Sequence, residues 1–175
     1  MAVTVGDVLW TPPADVRTTT QVGRFMDFVA GRRVDLPDYD AALRWSVEDL
    51  EGFWSSLWDF FEVKAHTPYE RVLGSREMPG ARWFEGATLN YAEHMVGTDE
   101  DTDRVAVVAR SQSRDDFEVT FGELRDEVAR ARVGLRELGV GPGDRVVAYL
   151  PNIPETLVAF LAAASLGAVW AACAA

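Results

Sequence analysis

The stretch RVVAYLPNIPETLVAFLAAASLGAVW, residues 145–170, limits the possible folds of this chain more than any other segment. Arg145 to Leu150 is a short apolar run with two adjacent β-branched residues, Val146 and Val147, the pattern of a buried strand. The turn PNIP follows, and Pro154 stands at the first position of a helix from Glu155 to Leu166, where a missing N–H costs nothing. Gly167 stops that helix, and Val169 and Trp170 open a second strand. Strand, helix and strand joined by short connections predict a parallel β-α-β unit with a right-handed crossover. The strands of such a sheet are expected to be buried on both faces by helices, and the loops after them to carry ligand contacts. Only AACAA follows Trp170, so the expectation is an incomplete parallel sheet lacking its ligand-bearing loops.

The preceding residues extend the same alternation. Val105 to Arg110 reads as a strand, Ser111 to Asp116 as a turn, and Phe117 to Val119 as a short returning strand. Thr120 opens a helix with Glu123 in the capping-box position, and Phe121, Leu124, Val128, Ala131, Leu135 and Leu138 recur at intervals of three and four until Gly139. An acidic linker, TDEDTD, precedes all of this.

Residues 1–97 have a different character. One short helix is expected around Val22, Phe25, Met26 and Val29. A second is expected from Val47 to Phe61, capped by Ser46 with Asp49 three residues on, its stripe made of Leu50, Trp54, Leu57, Trp58 and Phe61, and Trp45 packed on its first turn as a staple. Residues 68–97 are punctuated by Pro68, Gly74, Pro79, Gly80 and Gly86 and show no regular period. That segment is expected to lie across another surface through Trp83, Phe84, Leu89 and Tyr91, ending in a short helix capped by Asn90 with Glu93 and closing near Gly97. The fold class is therefore α/β: a helical and irregular N-terminal segment, 1–97, followed at 98–175 by the first β-α-β units of an incomplete parallel sheet.

Composition excludes several functions. A net charge of −11 argues against nucleic acid and anionic membrane surfaces, which need basic patches. A single cysteine, Cys173, leaves no disulfide framework and no multi-cysteine metal site, and His66 and His94 lack ligand-like spacing. MAVTVGDVLWTPP is neither a secretory signal nor an anchor, and the longest apolar run, Leu157 to Val169, is too short to span a bilayer, so the cytoplasm is the expected location.

No short motif specifies a reaction. GVGPGDR, residues 139–145, has the glycines of a phosphate cradle, but Pro142 removes an amide donor and the turn leads into a strand rather than a helix. Thr18 to Thr20 read as a helix cap or solvated turn, and Cys173 as a small core residue. The carboxylate pairs Asp38/Asp40 and Asp115/Asp116 read as solvated charges in turns. His66 and His94 have no partner identifiable from the sequence. No catalytic, cofactor-binding or metal residue is assigned.

A resemblance adds to this reading. VTFGELRDEVARARVGLRELGVGPGDRVVAYLPNIPETLVAFLAAASLGAVW, residues 119–170, resembles the opening of the adenylate-forming enzymes, in the order of its T-F-x-E-L helix start, G-V-x-x-G-D-R-V turn, P-N-x-x-E helix and G-A-V stop. MPGARWFEGATLNYAEHM, residues 78–95, is similar to the W-F-x-G-x-x-L-N segment of short-chain acyl-CoA synthetases. The N-Y-A-E ending, with RWSVEDLEGFWSSLWDFFEV at 44–63 and the opening LWTPP, most resembles the acetoacetyl-CoA synthetase branch. The resemblance implies a ligase that uses ATP, Mg and CoA on small-molecule substrates: a carboxylate attacks the α-phosphate of ATP, and the thiol of CoA then displaces AMP. It also implies a Ser/Thr/Gly-rich phosphate loop with a lysine, a downstream acid and a second lysine. None of these is present: the sole lysine, Lys64, stands in EVKAH, and CAA occupies the start of the family's S-P-D-F-G-like loop. The expectation is thus an N-terminal portion of an acetoacetate–CoA ligase, inactive alone, binding no cofactor, and able to self-associate through exposed strand edges. The alternatives are a portion of an acetyl- or propionyl-CoA synthetase, or a non-enzymatic interaction module.

Overall fold

A computed structural model describes residues 3–173. The chain divides into two compact units: Met1–Val63 with Tyr69–Gly86, and Lys64–Pro68 with Ala87–Ala175.

The first unit starts with α1 (Val16–Thr19) and α2 (Gln21–Ala30). Thr20 caps α2 by accepting the Gly23 N–H at 3.2 Å, and the hydroxyls of Thr18, Thr19 and Thr20 donate to carbonyls one turn back, as a cap-and-turn segment should. Phe25, Met26 and Val29 are buried as the 3.6-residue period requires; Val22, at the edge of that face, is 50% exposed.

The single helix expected over 47–61 is two helices, α3 (Tyr39–Glu48) and α4 (Leu50–Phe60). Aspartates cap both. Asp38 accepts the Ala41 N–H at 2.7 Å and Asp49 the Gly52 N–H at 3.0 Å. Ser46 lies inside α3 and donates to the Leu43 carbonyl, the back-bonding available to a serine within a helix. Asp38 is therefore a cap, not a solvated turn charge. Trp45 lies within α3 rather than just before a cap; partly buried, it packs 6.2 Å from Phe25 and 5.4 Å from Phe53, in the first turn of α4.

Helix α4 carries apolar residues on two faces, not in one stripe. Phe53, Leu57 and Phe60 pack on the cluster of Phe25, Met26, Val29, Leu36 and Ala42. Trp54 meets Trp83 at 5.5 Å, and Trp58 meets Phe84 at 4.5 Å. Those partners belong to a hairpin where no regular structure was expected: β1 (Arg71–Ser75) and β2 (Arg82–Glu85) pair antiparallel, Leu73 opposite Trp83. A register irregularity between Leu73 and Ser75 breaks the period-two pattern, and Leu73 is the pair's one buried apolar residue.

The second unit contains α5 (Tyr91–Met95), β3 (Val105–Ala109), β4 (Phe117–Thr120), α6 (Phe121–Glu137), β5 (Arg145–Tyr149), α7 (Pro154–Ser165) and β6 (Val169–Cys173). β3 and β4 are antiparallel. β5 and β6 run parallel, in register from Arg145 opposite Val169 to Tyr149 opposite Cys173, as the β-α-β pattern requires. Leu124, Val128, Val158, Leu161 and Ala162 form the core with Ala92 and Val119.

Three expectations need correction here. The described strands make three two-stranded sheets, and β5–β6 is not covered on both faces: Val147 and Tyr149 alternate outward and stay exposed, because helix packing reaches only the side that carries Val146 and Ala148. Leu138, one residue past the end of α6, is exposed. Cys173 is exposed rather than in the core. The acidic linker is ordered: Asp99–Asp101 form a 3-10 turn, closed by Asp101 Oδ2 accepting the Thr98 N–H at 2.9 Å. Arg125 of α6 holds this turn by donating to Thr98 O at 2.7 Å and Thr102 Oγ1 at 2.6 Å. Among the described residues no helix is long and apolar enough to cross a membrane.

Candidate functional site

Ligands of parallel α/β units gather beyond the carboxyl ends of strands. At the end of β5, the turn into α7 and the β3–β4 turn enclose a cavity of about 370 Å³. Its apolar wall includes Val107, Ile153 and Leu157, and its polar groups include Ser111, Arg114 and Asn152. Arg114 crosses it to grip Glu155 of α7 through two parallel bonds, Nη2 to Oε1 at 2.9 Å and Nη1 to Oε2 at 3.2 Å. The Arg114 guanidinium also sits 5.1 Å from the centre of the Phe117 ring. The hydrogen bonds from Arg114 hold the Glu155 carboxyl below its ordinary range, and the same pair raises Arg114. These groups are satisfied by each other. The arrangement pins a turn to a helix and leaves no nucleophile beside a base.

The turn at Gly139–Arg145 spends its amides internally. Asp144 Oδ2 accepts the Gly141 N–H at 2.8 Å, Gly143 donates to Gly167 O at 2.9 Å, and Pro142 has no N–H. Gly139 and Gly143 adopt φ of +86° and +82°, which is why glycine stands there. The turn serves as a connector, as its sequence context indicated.

His66 and His94 have partners that sequence reasoning missed. His66 Nε2 lies 2.9 Å from Glu93 Oε2, and His94 Nε2 accepts the Lys64 N–H at 2.9 Å. Glu93 was expected to complete a capping box on α5; instead Asn90 alone caps, accepting the Ala92 N–H at 2.9 Å, and Glu93 turns to the histidine. The separations, 27 residues for His66–Glu93 and 30 for Lys64–His94, carry no local signal, so the sequence could not reveal these pairs. Asp116 stands 3.8 Å from Arg110 in an exposed turn, a solvated charge as expected. Among the described residues no group of three His, Cys, Asp or Glu side chains is placed to hold a metal ion.

Comparison with known proteins places these features. Residues 39–95 match the family described as acetyl-coenzyme A synthetase N-terminus, and residues 96–175 match AMP-binding enzyme. The chain is 43% identical to acetoacetyl-CoA synthetase of Macaca fascicularis, over 93% of this chain and 24% of that protein. It is 40% identical to that of Danio rerio, over 93% and 24%, and 35% identical to that of Rhizobium meliloti (strain 1021), over 94% and 25%. The structure of acetoacetyl-CoA synthetase from Streptomyces lividans superimposes with a TM-score of 0.88 at 45% identity, covering 94% of this chain and 26% of that one. The chain thus spans about a quarter of the length of the relatives it matches. By sequence and by fold the chain is similar, over nearly its whole length, to the N-terminal quarter of acetoacetyl-CoA synthetases, with its second half matching the AMP-binding enzymes.

Proposed function

We propose that this chain is the N-terminal framework of an acetoacetate–CoA ligase, an AMP-forming acid–thiol ligase that converts acetoacetate, ATP and CoA to acetoacetyl-CoA, AMP and pyrophosphate. The observation that carries this reading is the likeness to the Streptomyces lividans acetoacetyl-CoA synthetase over 94% of the chain. Residues 1–97 are its N-terminal segment and 98–175 the start of its AMP-binding domain, a division supported by family matches that meet at residues 95 and 96. Acetate or propionate as the acid is the second reading, favoured by the acetyl-coenzyme A synthetase description of residues 39–95.

In such a ligase ATP, with Mg, supplies the adenylyl group and CoA the accepting thiol. Two observations support a reading in which the described residues hold no nucleotide: amides of the glycine turn are engaged within the protein, and Lys64, the sole lysine, lies in an exposed segment outside that turn. The part of the described residues is to order the parallel strands on which a ligand-bearing remainder would be built. The reading places the protein in the cytoplasm, with small-molecule substrates and no nucleic acid or membrane partner, given the net charge of −11. Because each described sheet has only two strands, every strand keeps an open edge, and the isolated chain self-associates through them.

The purified 175-residue chain, given ATP, Mg, acetoacetate and CoA, is expected to release no AMP and to sediment as more than a monomer. Acetoacetate-dependent AMP formation would show that the residues present suffice for chemistry. A monomer at all concentrations would remove the self-association.

A further inference from the structure

Residues 64–68 are all exposed and bury no apolar side chain, yet they belong to the second unit while the residues on either side belong to the first. Polar contacts tie them to residues 88–94. The His66 N–H donates to Thr88 O at 2.7 Å, Thr67 bridges Thr88 as an isolated antiparallel pair, and their hydroxyls meet at 2.8 Å.

Both of the chain's histidines act on this strap. His94 Nδ1 lies 3.0 Å from the Asn90 carbonyl oxygen, which can only accept, and its Nε2 faces the Lys64 N–H, which can only donate. One tautomer satisfies both: hydrogen on Nδ1, lone pair on Nε2. Asn90 is itself fixed, because its Nδ2 donates to Ala164 O of α7 at 2.9 Å. A line of bonds therefore runs from the core helix through Asn90 and His94 to the strap, while Glu93, the residue before His94, holds His66.

We propose that His94, held as its Nδ1–H tautomer, is a positioning residue that latches residues 64–68 onto α5, and that this strap releases as a local unit. Exposed segments with few apolar contacts open at lower free energy than the core around them.

Nuclear magnetic resonance on the full chain tests this. In the wild-type protein, the long-range nitrogen–proton pattern of His94 should show hydrogen on Nδ1, with the Lys64 and His66 amides protected but exchanging before those of α6 and α7. His94→Ala should speed exchange at Lys64 and His66 about tenfold, the loss expected for one net hydrogen bond, with α6 and α7 unchanged. Hydrogen on Nε2 in the wild type, an unprotected Lys64 amide, unchanged rates in His94→Ala, or equal acceleration throughout α6 and α7 would each overturn the latch. If His94→Ala does not fold, the wild-type tautomer decides.

Discussion

Thr120 and Glu123 close on each other at the start of α6. The Glu123 N–H donates to Thr120 Oγ1 at 3.2 Å, while Glu123 Oε2 accepts from the Thr120 N–H at 2.8 Å and its hydroxyl at 3.0 Å. Those bonds, the backbone N–H first, lower the Glu123 carboxyl below its ordinary 4.5. A carboxyl lowered by folding contributes stability that is fully present above its unfolded value and is lost as pH falls through the folded one. Thr120→Ala should therefore destabilise the chain more near neutral pH, where Glu123 is ionised, than in acid, where Glu123 is protonated in both variants. Urea unfolding under the two conditions measures this; an equal cost at both would mean that the carboxylate takes no part. This cap was legible because donor and acceptor are three residues apart. The cap at Asp38 was not: Ser46 and Asp49 offered a competing box closer to the aromatic run, and nothing local showed that Asp49 begins a helix rather than continuing one.

Among the elements, α7 carries the greatest share of the second unit's core. Leu161, Ala162 and Ala163 are at most 1% exposed, and the helix is apolar on nearly every side because α5, α6 and β6 all pack against it. Leu161→Ala removes a fully buried side chain from between closely packed helices and should destabilise the chain by about 2–5 kcal/mol. Thermal or denaturant unfolding would report it, and a loss under about 1 kcal/mol would mean that α7 is loosely packed. The strands flanking α7 and the helix itself were legible from Val146, Pro154, Gly167 and Val169, whose local preferences agree with the fold. The hairpin β1–β2 was not, because its one buried residue, Leu73, and its irregular register leave no alternation to read. The outward face of β5 was misjudged for a different reason: Val147 and Tyr149 are residues that suit burial, and a strand's composition does not say how many helices cover it.

At the scale of the whole molecule, the second half was legible in its order of strands and helices, while in the first half only separate helices were, since its aromatic packing joins residues far apart in sequence, such as Phe25 with Phe53 and Trp58 with Phe84. The histidine contacts at Lys64 and Glu93 lay beyond any local rule for the same reason. The framework reading fits the polar groups described above, the caps, the glycine turn and the Arg114–Glu155 pair, which bond to one another. The most direct measurement replaces the matching quarter of the Streptomyces lividans acetoacetyl-CoA synthetase with residues 1–175 and follows acetoacetate- and CoA-dependent AMP release. The framework reading expects a folded hybrid that forms acetoacetyl-CoA within about tenfold of the parent rate, since each 1.4 kcal/mol of misplacement costs about that factor. A hybrid that folds with the parent's cooperative melting but forms no acetoacetyl-CoA would contradict it.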